Sequence, residues 1–226
     1  ISGGQAANMV PDQAEANVGG KIFRAVGKAA HGSTPWEGEN AISGLMAEIA
    51  ESKIDCPLAR FYMEKIGTDL HGERINLALA DAASGKLSLN VGKVFEADDM
   101  VKLALDIRFP VTYSLDTVLA RLKEAVRPYD IGMEVVADMK PVYMEKDGKI
   151  IQKLMEAYRE VTGDNAEPIV MGGGTYARAM DNIVAFGPVF PGRECTEHKK
   201  DEYIFVEDLE KARQIYRLAI EKLTEV

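Results

Sequence analysis

Two runs decide the fold: Lys86-Leu87-Ser88-Leu89-Asn90-Val91-Gly92-Lys93-Val94-Phe95 and, after Asp98-Asp99, Val101-Lys102-Leu103-Ala104-Leu105-Asp106-Ile107-Arg108-Phe109. Leu87, Leu89 and Val91 alternate in the first; Val101, Leu103, Leu105 and Ile107 alternate in the second. A period of two places each set on one face of a strand. The Asp-Asp pair between them supplies a turn.

Upstream, Ile42, Leu45, Met46 and Ile49 recur at i, i+3, i+4 and i+7, one face of a helix. Before it, residues 21–29 hold Ile22, Phe23, Ala25 and Val26, enough β-formers for a strand, entered from the hairpin signal Gly19-Gly20. Residues 8–18 are mixed and read as extended. Downstream, Ser114 is a good N-cap for a helix whose apolar face is Leu115, Val118, Leu119, Leu122 and Val126. Residues 133–139 read as a last strand, limited by Pro141. The order over 21–139 is strand, helix, strand, strand, helix, strand. That is an α+β, ferredoxin-like arrangement: an antiparallel sheet with helices on one face. Residues 53–86 form an insertion with no evident place, apart from a short helix over 57–65 opened by Pro57 at a position where proline is tolerated.

After Met144 the pattern changes. Residues 149–161 read as a helix with Ile150, Leu154 and Tyr158 in register, and Gly163 is a plausible terminator. Residues 168–171 and 183–186 read as short apolar strands. Between them Gly172-Gly173-Gly174-Thr175 leads into a short helix over 176–180. Residues 206–223 form a closing helix with Leu209, Ala212, Tyr216, Ala219, Ile220 and Leu223 on one face. This reads as part of a larger α/β sheet, whose few strands would leave an edge uncovered.

Composition narrows the partners. The chain has 226 residues, 46% hydrophobic and 28% charged, ordinary for a globular protein. Its net charge of −9 disfavours nucleic acid and anionic membranes as partners. No apolar run approaches the ~20 residues that span a bilayer. The chain starts at Ile1, inside what reads as a strand, so a fragment or a processed chain is expected. Two cysteines, Cys56 and Cys195, make no disulfide framework and fit a cytoplasmic setting.

Three histidines can be weighed one by one. His31 sits at a strand end in a loop of small residues, Ala29-Ala30-His31-Gly32-Ser33-Thr34-Pro35, which lets a ligand approach. A plain surface histidine is the alternative. His71, in Asp69-Leu70-His71-Gly72-Glu73-Arg74, reads as part of a solvated turn. His198 follows a proline- and glycine-containing loop and precedes a helix, where α/β enzymes place ligands; it could equally be an exposed histidine among charges. Cys195 and Glu197 are too close in sequence to share one metal readily with it, and no zinc-finger or His-Glu-x-x-His spacing occurs. The Gly172–Gly174 run can bind an anion through successive N–H groups, a carboxylate rather than a phosphate, or can be only a tight turn. Arg108 can grip a carboxylate bidentately, or pair with Asp106.

Six motifs occur in one order: Asn8-Met9-Val10-Pro11-Asp12, Gly27-Lys28-Ala29-Ala30-His31-Gly32, Asp106-Ile107-Arg108-Phe109-Pro110, Gly172-Gly173-Gly174-Thr175-Tyr176-Ala177-Arg178, Phe186-Gly187-Pro188 and His198-Lys199-Lys200-Asp201-Glu202. Together they resemble the PepV-type dipeptidases of the zinc-dependent aminoacylase and carboxypeptidase G family. The resemblance implies a two-domain enzyme of roughly twice this length, with two zinc ions in an α/β catalytic domain and a lid inserted in it. On that basis residues 1–145 are the lid, with its ferredoxin-like core at about 21–140, and 146–226 are the end of the catalytic domain. His198 then resembles a zinc ligand, and His31 the lid histidine that stabilises the oxyanion. Arg108 with Gly173, Gly174 and Thr175 resembles the pocket for the substrate's carboxylate, and Asn8 a lid asparagine near the substrate. The family's His-x-Asp motif, bridging aspartate and glutamate pair have no counterpart here, so the implied partner is an N-terminal catalytic segment, and this chain alone is expected to be inactive. The Gly19-Gly20 connection is shorter than the family's segment. The implied activity is hydrolysis of dipeptides by a metal-activated water. The alternatives are a non-catalytic amino-acid-binding or dimerisation module, and an N-acyl amino acid deacylase of the same family.

Overall fold

The computed structural model describes residues 1–194, 196 and 201–224. They form two compact units, Ile1–Asp138 and Met139–Val226.

The first unit is built on a five-stranded antiparallel sheet. Its strands are β1 (Ser2–Gly3), β3 (Gln13–Val18), β4 (Lys21–Val26), β8 (Ser88–Ala97) and β9 (Met100–Arg108), in the order β4-β3-β1-β8-β9. Two short strands, β2 (Met9–Val10) and β5 (Ala30–His31), pair separately, as do β6 (Ala80–Asp81) and β7 (Gly85–Lys86). The β3–β4 hairpin closes through Gly19 and Gly20, both at positive φ (60° and 82°), the geometry a two-residue turn demands. The β8–β9 hairpin closes through Asp98 and Asp99, again both at positive φ.

Helices α1 (Ala41–Glu51), α2 (Pro57–Lys65) and α3 (Leu115–Val126) share one hydrophobic cluster with the sheet. The predicted stripe of α1, Ile42, Leu45, Met46 and Ile49, is fully buried with Ala14, Ala16, Phe23, Leu89 and Val94. Burial of such a side chain stabilises by about 1.5–3 kcal/mol relative to exposure. Ser114 caps α3 by accepting the Thr117 N–H, and Asn40 caps α1 by accepting those of Ile42 and Ser43. The insertion also enters the core: Ile75, Leu77 and Leu79 are buried in the same cluster as Phe61 and Tyr62.

The ferredoxin-like order is altered at its end. Residues 133–139 form no strand, and Val136 is 90% exposed. A strand needs a neighbouring edge to receive its N–H and C=O groups, and here Ser2–Gly3 sits in the middle of the sheet instead.

The second unit packs α4 (Lys149–Thr162) against α5 (Val206–Leu223) through Leu154, Ala157 and Ala219, with Val184 and Phe186 alongside. Gly163 ends α4 in the left-handed conformation, its N–H returning to the Arg159 carbonyl. Lys222 of α5 pairs with Glu160 of α4 at 3.1 Å. The expected strands at 168–171 and 183–186 are not formed, and Ile169 is 89% exposed. No strand pairs with them among the described residues, so their apolar character finds no ladder. On α5 the buried face is Asp208, Ala212, Ile215 and Ala219, while Leu209 and Ile220 are exposed. No helix among the described residues is long and apolar enough to cross a membrane.

Candidate active site

His31 is the last residue of β5, directly opposite Met9 of β2. The pairing continues into the loop, where the Gly32 N–H donates to the Asn8 carbonyl at 2.7 Å. Only glycine fits at 32: a Cβ there would lie 2.8 Å from Asn8 O and 2.8 Å from Oδ2 of Asp106. The His31 ring is exposed, and its Nδ1 accepts the backbone N–H of Ser33 at 3.2 Å and lies 2.6 Å from Ser33 Oγ. A backbone amide can only donate. Nδ1 of the neutral ring is therefore the acceptor, which assigns the proton to Nε2. The neutral ring thus carries its N–H donor on Nε2, the nitrogen not engaged by Ser33.

Arg108 ends β9, two residues beyond Asp106 and on the same face of the strand. Asp106 Oδ2 accepts from both Nε (3.1 Å) and Nη2 (2.8 Å) of Arg108. The two side chains are only 24% and 18% exposed. The same Oδ2 faces the space beside Gly32. Asn8, His31 and Arg108 are thereby gathered in one region of the first unit, with Asp106 between the last two. The ion pair with Asp106, the simpler of the two sequence readings of Arg108, is formed.

The structure supplies a residue that sequence reading passed over. Asn90 is 2% exposed in β8, opposite Asp106. Its Nδ2 donates to the carbonyls of Ala7 and Met9, both at 2.9 Å, and its Oδ1 accepts from Asn40 Nδ2 at 3.4 Å. The available signal was a lone amide inside the apolar run 87–94, since buried polar groups are the informative ones. Two residues on, Gly92 marks a break in the register of β8 with β9, and a Cβ there would lie 2.2 Å from Ala7 O. The segment carrying Asn8 therefore lies directly against β8.

His71 is half-buried rather than solvated. Its Nδ1 lies 2.8 Å from the Leu87 carbonyl, to which it must donate, tying the insertion to the start of β8.

In the second unit, Thr175 Oγ1 accepts the Ala177 N–H at 3.3 Å and opens a 3₁₀ turn, Tyr176–Ala179. Four residues carry little helix dipole, which removes much of the physical support for an anion site there. The nearest charge to Gly174 is Arg178, whose Nη1 lies 2.9 Å from where a Gly174 Cβ would stand. Among the described residues, a Cβ at Gly173 would meet only the Met171 side chain. His198, Cys195 and Glu197 lie outside the described residues. Among the described neighbours, Arg193 donates to both carboxylate oxygens of Asp208 at 2.7 and 3.0 Å, and Thr196 Oγ1 donates to the Tyr203 carbonyl at 3.1 Å. Among the described residues no three His, Cys, Asp or Glu side chains are grouped to hold a metal ion.

Comparison with known proteins extends over nearly the whole chain. The description "Peptidase family M20/M25/M40" matches residues 8–222. A Staphylococcus saprophyticus protein named "Putative dipeptidase SSP1012" is 32% identical over 97% of this chain and 54% of its own length. "Putative dipeptidase YtjP" of Bacillus subtilis is 34% identical over 89% of this chain and 44% of its own length. The chain spans about half the length of the curated relatives it matches. By this match the chain belongs to peptidase family M20/M25/M40.

Proposed function

We propose that this chain is the lid, residues 1–145, and the closing catalytic-domain segment, 146–226, of a zinc-dependent dipeptidase acting on free dipeptides in the cytoplasm. The observation that carries the reading is the His31 tautomer: Nδ1 takes the Ser33 N–H, which leaves the proton of the neutral ring on Nε2, in an exposed residue next to Gly32, whose space the Asp106 carboxylate of the Asp106–Arg108 pair faces. A neutral N–H donor is what a developing oxyanion needs, and it acts best when held in place before reaction. Arg108 would share its guanidinium between Asp106 and the carboxylate of the substrate, measuring the length of a dipeptide. Asn8, whose carbonyl is tied to Gly32, would line the same wall.

The zinc requirement rests on the family resemblance. The described residues do not form a metal site, and His198, the one ligand proposed from this chain, is outside them. What this chain's described residues offer is binding, orientation and the N–H donor; the metal, when bound, would supply an activated water. The partner implied is the remaining catalytic segment.

The test is hydrolysis by the full-length protein of a dipeptide, the same dipeptide amidated at its C-terminus, and the corresponding N-acyl amino acid. The dipeptide should be cleaved at least about 10-fold more efficiently than its amide, from the loss of a charge-assisted hydrogen bond. Preference for the N-acyl amino acid would replace dipeptidase by deacylase.

A further inference from the structure

We propose that Asn90 is a positioning residue for His31, holding the oxyanion donor in place through the Ala7–Met9 segment; the proposal rests on the catalytic reading of His31 above. Asn90 touches neither His31 nor any exposed surface. It is 2% exposed, and both hydrogens of its amide are used on carbonyls flanking Asn8: Ala7 O and Met9 O, each at 2.9 Å. Met9 is the direct β2 partner of His31, and Asn8 O receives the Gly32 N–H. The two-residue ladder β2–β5 is too short to hold itself in register, so its geometry is set by what grips it. Asn90 is that grip on one side. Gly92 completes it, since the space a side chain would fill there is occupied by the Ala6 and Ala7 carbonyls.

The other end of the amide is fixed too. Asn90 Oδ1 accepts from Asn40 Nδ2, which also donates to Val91 O at 2.9 Å while Asn40 Oδ1 caps α1. On the neighbouring strand, Asn90 faces Asp106, the partner of Arg108. One buried amide therefore links the rigid core, the histidine strand and the arginine strand. A small misplacement of a catalytic group costs about 100-fold in rate, so such a link bears on turnover and not only on stability.

Asn90→Asp tests this with little change of shape, because the carboxyl can donate to neither carbonyl when ionised and to only one when protonated. In this chain, amide hydrogen exchange should show the Gly32 N–H accelerated about 10–100-fold while Leu45 and Ile49 in α1 keep wild-type protection, the mark of a local release. In the full-length protein kcat should fall about 10–100-fold with KM within about 3-fold, the signature of an interaction made in the transition state. Unchanged Gly32 exchange, equal acceleration of all amides, or wild-type turnover would each overturn the proposal. Retained turnover in His31→Ala would instead remove the catalytic reading on which it rests. Should Asn90→Asp fail to fold, Asn40→Asp decides. It keeps the α1 cap, since Asp caps as well as Asn, and removes the donor to Asn90 and Val91. Faster Gly32 exchange with a several-fold lower kcat supports the link, and wild-type values of both overturn it.

Discussion

A single oxygen of Asp106 receives two N–H groups of Arg108, from Nε at 3.1 Å and Nη2 at 2.8 Å. Both side chains are more than three-quarters shielded from water. The guanidinium plane is thus held by a carboxylate whose same oxygen faces the backbone of Gly32. A flexible cation would lose side-chain entropy on gripping a carboxylate; a pre-oriented one loses less.

Arg108→Lys keeps the charge and loses the planar fork. KM for a dipeptide should rise about 10-fold, equivalent to about 1.4 kcal/mol, with kcat within a few-fold. The rise should vanish for the dipeptide amide, which has no carboxylate to grip. Steady-state kinetics of both substrates with wild type and variant makes the comparison.

His31→Ala should lower kcat about 100–1000-fold with little change in KM, the effect of losing one preorganised oxyanion donor. His31→Gln, which can offer an amide N–H from a similar distance, should recover part of it. Metal content measured on the same samples should be unchanged in both variants, separating loss of the donor from loss of the metal.

How far the sequence reveals this molecule depends on whether the deciding signal is local. Ser114 at a cap, Pro57 at a first turn and the Ile42 to Ile49 stripe act within a few residues, and α1, α2 and α3 form where these signals put them. Residues 133–139, 168–171 and 183–186 are rich in β-formers but make no strand, because pairing depends on an edge far away in sequence. On α5 the period is right and the face is turned, since Ile215 is buried while Leu209 and Ile220 are exposed; the partner α4 selects the face. In the site, His31 and Arg108 stand out as polar residues at strand ends. Asn90 does not, because its role lies entirely in two carbonyls more than 80 residues away.

Tyr62 is fully buried, with its hydroxyl 2.8 Å from Ser43 Oγ. Burial pushes its phenol well above the usual value, against a smaller opposite effect of the Ser43 hydrogen bond. A raised phenol favours the neutral folded form. Its contribution is therefore complete below the unfolded value of 10.0 and is lost as pH climbs above it. Tyr62→Phe should cost about 1–2 kcal/mol, from leaving the Ser43 hydroxyl without this partner. Urea unfolding at pH 7 measures it. Ultraviolet titration of the wild type should show one tyrosine that ionises only as the first unit unfolds.

Asp81 joins the β6–β7 hairpin to the chain just past Arg108. Its Oδ1 accepts from the N–H and Oγ of Ser84, and its Oδ2 from the N–H (3.2 Å) and Oγ1 (2.9 Å) of Thr112. Burial would raise its carboxyl, but these four bonds from Ser84 and Thr112 together outweigh it and lower the group to about 2. A lowered carboxyl stabilises the fold above its unfolded value of 3.8, and that stabilisation is lost as pH falls from there through about 2. Asp81→Ala should therefore be less stable than wild type at pH 6, with the difference shrinking between pH 4 and 2. Calorimetric melting of both proteins across that range measures the gap. A gap independent of pH would mean that Asp81 acts by shape and not by charge. Because Thr112 lies four residues beyond Arg108, the loosened hairpin should also raise KM for dipeptides at neutral pH and leave the Arg108-independent amide unaffected.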